Sequence, residues 1–552
     1  MNRLKNHAYS ARLALIFFLF CFAYAIIVAN FYRIQIRQHD FFQKIAQDQY
    51  LSTVTLQAFR APMYDRTGKT FLAMNKECVS AYLIPTLCEE PDAVDTFLST
   101  YFPTAARRFQ DQRSSAFLYI KRRLSDYEQS LIKQVHLDDI QLICEESRYY
   151  PISSAGIITG ITDIDNKGLF GIELQCDHYM AGKPMTFIIE KDARSGLSYF
   201  KKTTTIAGEV GTPIMLTIDS VLQFLVHEEL SEGYKAVDAQ EGAVLVIDPK
   251  SGDILAMVSL PDFDPNDTQE IDFAKTKNRV ITERYELGSV IKVCAALAAL
   301  QEQVVNPDEI IDCKSSRTAW IDGRKINTVK AHGVLPFWEV VARSNNIGMA
   351  IVAKRLDKKL YEHYVRMGFN DKTGITFPGE QCGTITSPHV WSKQSIISLS
   401  YGYEIAITLL QLAQFFGMIA NDGIMVPPRL ILQPSIPQKL ADNKSRYDQQ
   451  HIDTIKMILE KTTQEGTARK AAINGYRIMS KTGTANTLVD GVYSTESNLF
   501  TCVGIIEKDD YQRVIVVFLH APGKYNRYAS TVAAPLFERI AEKVLIHDRV
   551  IV

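Results

Sequence analysis

The sequence predicts an α+β protein in three parts: a single N-terminal transmembrane helix, an elongated pedestal, and a C-terminal domain whose helices sandwich an antiparallel sheet. Three observations predict it. Leu13 to Ala29 is an unbroken apolar run flanked by basic residues. Residues 33–210 mix short strand-like pieces, such as Tyr50 to Leu56, with charged helical stretches, such as Arg107 to Lys133. From Gly211 onward, longer helical patterns alternate with paired apolar strands.

The apolar run exceeds a signal-peptide core, which is about 7–15 residues, and reaches the spanning range. A retained anchor over 13–32 is expected, with 1–12 as a cytoplasmic tail. Arg3, Lys5 and Arg12 before the run favour that orientation, against Arg33 and Arg37 after it. Everything past the anchor then lies outside the cytoplasmic membrane. The pedestal is expected over 33–210 and the C-terminal domain over 211–552. Within the latter, Asp219 to Tyr234 reads as a helix. Gly242 to Val258 reads as two strands joined by the turn Pro249-Lys250-Ser251-Gly252. Val290 to Leu300, Ser344 to Lys354 and Thr408 to Ala420 read as helices, and Val514 to His520 as a late strand.

The net charge of -1 gives no basis for nucleic-acid binding. The nine cysteines are scattered without Cys-x-x-Cys or His-paired spacing, so no metal and no cofactor is expected. Cys78, Cys88, Cys144 and Cys176 fall in the pedestal, where disulfides and buried thiols both remain open.

Ser289-Val290-Ile291-Lys292, Ser344-Asn345-Asn346 and Lys481-Thr482-Gly483-Thr484 occur in that order. Such a set characterises serine enzymes acting on penicillins and related peptides. Ser-x-Asn occurs once, whereas the other two short patterns have decoys. Ser130-Leu131-Ile132-Lys133 lies in a mixed charged and apolar stretch and Ser198-Tyr199-Phe200-Lys201 in a basic segment read as solvated surface, whereas Ser289 opens a long apolar helix in which Lys292 is the only charge. Lys372-Thr373-Gly374 follows a turn-rich segment, whereas Lys481 follows a strand-like one.

Residues i and i+3 share a helix face, so Ser289 and Lys292 can meet. Burial lowers a lysine pKa, and the neutral amine can take the serine proton, which makes Lys292 the expected base. The amide of Ser289 suits an oxyanion. Ser344 offers a proton relay, and Asn346 an amide to hold Lys292 or substrate. Lys481 supplies charge for a substrate carboxylate, and Thr482 and Thr484 supply hydroxyls. Gly483, with no side chain, would let an extended peptide lie along the strand. Alternation alone puts Lys481 and Gly483 on one face and the threonines on the other.

The chain resembles a class B penicillin-binding protein, a monofunctional peptidoglycan D,D-transpeptidase, and most resembles the division-specific type. Arg60-Ala61-Pro62-Met63-Tyr64-Asp65-Arg66-Thr67-Gly68 with Leu72-Ala73 is similar to the pedestal signature. Arg148-Tyr149-Tyr150-Pro151, Gly160 and Gly168-Leu169-Phe170-Gly171-Ile172-Glu173 are similar to the next block. Leu216-Thr217-Ile218-Asp219, Gly242-Ala243-Val244 with Asp248 to Gly252, and Lys481 to Ala485 extend the resemblance along the chain. It departs at Leu287 for a usual proline, Ala61 for a glycine, and Tyr403-Glu404 for Gln-Gly.

The resemblance implies Ser289 as nucleophile, Lys292 as base, Ser344 and Asn346 as the proton-shuttle loop, and Lys481, Thr482, Gly483 and Thr484 as the carboxylate-binding strand, with the Thr484 amide as second oxyanion donor. It implies stem peptides and their lipid-linked precursor as substrates, beta-lactams as inhibitors, and an FtsW-like membrane glycan polymerase and other division proteins as partners. A D,D-carboxypeptidase, an elongation-specific transpeptidase, a beta-lactamase and a noncatalytic scaffold or penicillin-sensing receptor are the competing readings. The anchor and pedestal argue against a beta-lactamase, and the intact nucleophile and base against a scaffold.

Overall fold

A five-stranded antiparallel sheet carries the C-terminal domain. Its strands are β1 (Glu241–Ile247), β2 (Ile254–Leu260), β3 (Arg477–Val489), β4 (Val492–Lys508) and β5 (Tyr511–Pro522), in spatial order β2-β1-β5-β4-β3. Almost every residue of β1 and β2 is buried, because helices cover both faces. On one face lie α1 (Ser220–Ala236) and α6 (Ala533–His547). On the other lie α2 (Lys292–Gln301), α3 (Asn346–Leu356), α4 (Leu409–Ala420) and α5 (Gln449–Gln464).

The expected elements of this domain appear, and their ends follow from local chemistry. Asp219 caps α1 by accepting from the N–H groups of Val221 and Leu222, both at 3.1 Å. Thr408 and Gln411 form a reciprocal capping box at the start of α4. Between β1 and β2, Asp248 Oδ1 accepts from the N–H groups of Lys250 (2.9 Å) and Ser251 (3.1 Å). Gly252 closes that turn at φ +78°, where a Cβ would lie 2.2 Å from the Pro427 carbonyl.

The computed structural model describes residues 2–56, 58–191, 198–267, 271–440, 442, 444–489, 492–522 and 528–550. Two compact units are resolved, one made of 1–59 with 182–211 and the other of 60–181 with 212–552. The first contains the helix Asn2–Tyr32 and a sheet in which Leu51–Leu56 and Ser198–Ile206 flank Met185–Lys191. Ser10–Arg37 is long and apolar enough to cross a membrane, and Leu13, Phe17, Phe18, Phe20 and Phe22 are exposed along it.

In the second unit, residues 60–181 pack a long strand pair, Phe71–Leu83 against Gln141–Tyr149, beside short helices. The stretch Arg107 to Lys133 is not helical throughout. Helices Pro103–Asp111 and Asp126–Val135 are separated by a strand, Leu118–Lys121. Leu118 and Ile120 point inward and Tyr119 and Lys121 outward, a period of two too short to stand out between charged neighbours. The cysteines are free thiols, Cys176 buried and Cys144 exposed among them.

The scattered sequence words of the pedestal converge. Glu173, fully buried, accepts from Arg60 Nε at 2.6 Å and Arg148 Nε at 2.7 Å, while Arg60 Nη1 reaches Asp177 Oδ1 at 2.6 Å. Asp65 accepts from the Thr67 hydroxyl at 2.6 Å and from Ser220 Oγ at 2.9 Å, tying this part to the start of α1. Removing one partner from a buried ion cluster costs about 3–5 kcal/mol. Glu173→Gln should therefore lower the free energy of unfolding by that amount in guanidinium titrations. A loss under about 1 kcal/mol, the range of a surface pair, would show that the cluster is effectively solvated.

Candidate active site

Ser289 sits in a 3-10 turn, Gly288–Ile291, that runs directly into α2. Gly288 adopts φ +58°, and a Cβ there would lie 2.7 Å from the Thr484 carbonyl. Leu287, standing where proline is usual, is anchored by burial. Val290 through Leu300 are buried, and Ser289 remains partly open to solvent.

Lys292 is 0% exposed, and its amine is the point of convergence. Its Nζ lies 3.1 Å from Ser289 Oγ, 2.8 Å from the Ser344 carbonyl, 3.0 Å from Ser344 Oγ and 2.5 Å from Asn346 Oδ1. Ser344 reaches it from a left-handed conformation, φ +56°, at the junction between the helix Phe337–Ala342 and α3. Asn345 caps α3 by accepting from Gly348 N–H at 2.9 Å, and Asn346 Nδ2 donates to the Asn327 carbonyl at 2.7 Å. That last bond fixes which end of the Asn346 amide faces the lysine.

The donor count is informative. The Ser344 carbonyl and Asn346 Oδ1 can only accept, so they consume both N–H groups of a neutral amine. Its lone pair is then left for a hydroxyl, and Ser289 is in reach. Burial pushes the Lys292 pKa well below the ordinary lysine range, and Lys481 pushes it further in the same direction. Lys481 is itself fully buried, and burial brings it down to about 7. Among the described residues neither amine has a carboxylate within 4 Å.

β3 is the sheet's edge strand, and its backbone supplies the other wall. Along a strand the N–H and C=O of one residue point to the same side, and the side alternates. Three bonds identify the outward residues of β3. Ser480 N–H donates to Thr463 Oγ1 (3.1 Å), the Thr482 carbonyl accepts from Lys481 Nζ (2.9 Å), and Asn486 N–H donates to the Tyr403 hydroxyl (3.4 Å). Even-numbered residues therefore face the free edge. The Thr484 amide belongs to that series, beside Gly288 and the nucleophile.

The strand's side chains obey the expected alternation. Lys481 and Gly483 face the nucleophile turn. A Cβ on Gly483 would lie 2.4 Å from the Leu287 carbonyl and 3.0 Å from Val290 Cγ1, so this glycine lets the nucleophile turn approach the strand closely. Thr482 Oγ1 bonds Thr467 Oγ1 at 3.0 Å, and Thr484 Oγ1 accepts from Ala529 N–H at 2.9 Å, on the opposite face. The structure thus brings Ser289, Lys292, Ser344, Asn346 and Lys481 together and leaves the two threonine hydroxyls on the far side of the strand. Thr467 and Asn327 carry no local signal, the first joining through a tertiary contact and the second through its carbonyl.

The decoys stay apart. Ser130 Oγ donates to Tyr127 O within its own helix and Lys133 is exposed, while Lys372 is exposed and Thr373 bonds Glu380. Ser198 to Lys201 form part of a strand, and their side chains lie outside the described residues.

Only the neutral Lys292 has a lone pair for the serine proton. Acylation of Ser289, followed by stopped flow with a chromogenic acyl donor, should therefore rise with pH along a limb well below the ordinary lysine range. Lys292→Arg, permanently charged, should be slower by about 10²- to 10⁴-fold. A limb at the ordinary lysine value would contradict a neutral amine at rest.

The family model of the penicillin-binding protein transpeptidase domain matches residues 242–542. A probable peptidoglycan D,D-transpeptidase, PbpC of Pseudomonas aeruginosa, is 29% identical over 539 residues, covering 96% of this chain and 94% of that protein. Peptidoglycan D,D-transpeptidase FtsI of Escherichia coli is 29% identical over 434 residues, covering 78% and 72%. In fold, the chain is similar to penicillin binding protein 3 of Mycobacterium tuberculosis solved with aztreonam, with a TM-score of 0.68 at 24% identity, covering 90% of this chain and 98% of that one. The matched domain spans more than half of the sequence and contains the nucleophile, the lysine and the edge strand, and the chain belongs to the penicillin-binding protein transpeptidase family, in its class B.

Proposed function

We propose that the protein is a peptidoglycan D,D-transpeptidase that cross-links stem peptides through an acyl enzyme on Ser289, acts in septal wall synthesis, and is acylated by beta-lactams. The observation that carries the chemistry is the Lys292 amine, buried and held by two acceptors with Ser289 Oγ at 3.1 Å. The amine takes the hydroxyl proton as Oγ attacks the carbonyl of the penultimate D-alanine. The N–H groups of Ser289 and Thr484 receive the oxyanion. As the tetrahedral species collapses, the C–N bond breaks, and the proton passes from Lys292 through the Ser344 hydroxyl to the leaving amine, releasing D-alanine. An acceptor amine then attacks the ester along the reverse path, its proton returns to Ser289, and the cross-link leaves.

Lys481 supplies the cation for the donor's terminal carboxylate. With its pKa lowered to about 7 by burial, it is only partly charged at neutral pH, and a bound carboxylate favours the charged form. Binding of donor therefore takes up a fraction of a proton. The hydroxyls of Thr482 and Thr484, bonded on the far face to Thr467 and to the Ala529 N–H, reach the same carboxylate only after a change of rotamer.

The septal role is supported by the similarity to FtsI of Escherichia coli. Residues 1–12 then lie in the cytoplasm, the helix spans the inner membrane, and the pedestal (33–210) and catalytic domain (211–552) lie in the periplasm. An FtsW-like glycan polymerase meets the anchor and pedestal.

Ser289→Ala should abolish covalent labelling by a fluorescent penicillin while leaving the melting temperature unchanged, and labelling that persists would place the nucleophile elsewhere. Given donor peptide and an amine acceptor, the purified protein should yield more cross-linked than hydrolysed product; the reverse ratio identifies a carboxypeptidase. A midcell band of tagged protein is expected in dividing cells, and lateral staining would assign it to elongation.

A further inference from the structure

The free edge of β3 is closed at both ends by side-chain hydroxyls. At one end Thr463, on α5, takes the outward N–H of Ser480. At the other, Tyr403 takes the outward N–H of Asn486. Between them only the outward groups of Thr482 and Thr484 are left for an added strand, and the Thr482 carbonyl already holds Lys481 Nζ.

Tyr403 is held in place from several directions. It follows Gly402, whose φ of +92° lets the chain cross the nucleophile turn so closely that a Cβ would lie 2.1 Å from the Gly288 carbonyl. Its ring meets Tyr401 edge-on at 5.9 Å and Tyr493, from β4, edge-on at 4.8 Å. Glu286, three residues before the nucleophile, ties both sides together: its Oε1 accepts from Glu404 N–H at 2.7 Å and from the Tyr493 hydroxyl at 3.2 Å.

A donor whose carboxylate lies at Lys481 and whose reacting carbonyl lies at Ser289 and Thr484 must run its preceding residues toward Asn486. There the next ladder position is occupied. We propose that Tyr403 is a specificity-determining residue that ends the substrate strand at Thr484, so that donor residues preceding the D-alanyl-D-alanine pair cannot extend the backbone ladder along β3. This rests on the transpeptidase reading above. The consequence is selectivity for the terminal dipeptide, with little gained from a longer extended donor.

The test compares two N-acetylated donors ending in D-alanyl-D-alanine, one with no preceding residue and one with two, on the full-length protein and on Tyr403→Phe and Tyr403→Ala. The readout is the ratio of kcat/KM for acylation, long donor over short. A purely structural disturbance slows both donors alike and leaves the ratio unmoved. Freeing Asn486 N–H should raise the ratio at least three-fold in variants that keep the parent melting temperature. An unchanged or lower ratio in those variants overturns the proposal. If the parent is acylated by neither donor, it is the transpeptidase reading that fails.

Discussion

A lysine amine withdrawn from solvent, with no carboxylate beside it among the described residues, is the constraint on which the rest of the site depends. Holding an unpaired ion in an apolar interior costs several kcal/mol, so burial favours the neutral amine. Neutrality turns the usual donor into an acceptor of one proton. The Ser344 carbonyl and Asn346 Oδ1 then determine where the lone pair points, by occupying the N–H groups. The second lysine reinforces the first, because positive charge on Lys481 disfavours a proton on the Lys292 amine.

Close backbone approach does for geometry what burial does for charge. Gly483, Gly288 and Gly402 form a stack in which a Cβ on any one would collide with a carbonyl of the next element: Leu287, Thr484 and Gly288 respectively. The turn bearing Ser289 is thus clamped between the edge strand and the loop that carries Tyr403. A nucleophile held this way needs little rearrangement to meet a carbonyl lying along β3, and preorganisation of that kind is the main source of catalytic advantage in acyl transfer.

Much of this was legible in the sequence, and the parts that were not share a cause. Ser289, Lys292, Ser344, Asn346 and Lys481 could be found because helix spacing, an apolar run and a strand pattern surround them, and the helices α1, α3 and α4 because their caps are local. Gly483 stands out in its motif, but its neighbours do not: a Cβ there would meet Leu287 and Val290, a contact across nearly two hundred residues of chain. Thr467, Asn327 and the Tyr403–Asn486 bond depend on tertiary proximity alone and leave no periodic trace. The buried cluster of Arg60, Arg148 and Glu173 was visible only as separate words, since no one-dimensional pattern says that three charges share an interior. In the pedestal, the strand Leu118–Lys121 was hidden by flanking charges that favour helix.

The protonation state of Lys292 is the point at which the whole account can be tested most directly. Nitrogen-15 labelling of lysine side chains, with the Lys292 resonance assigned by its loss in Lys292→Met and followed across pH, reports amine against ammonium at that one atom. The account predicts the neutral amine's shift at pH 7 in the resting protein. An ammonium shift persisting to the ordinary lysine range would contradict it.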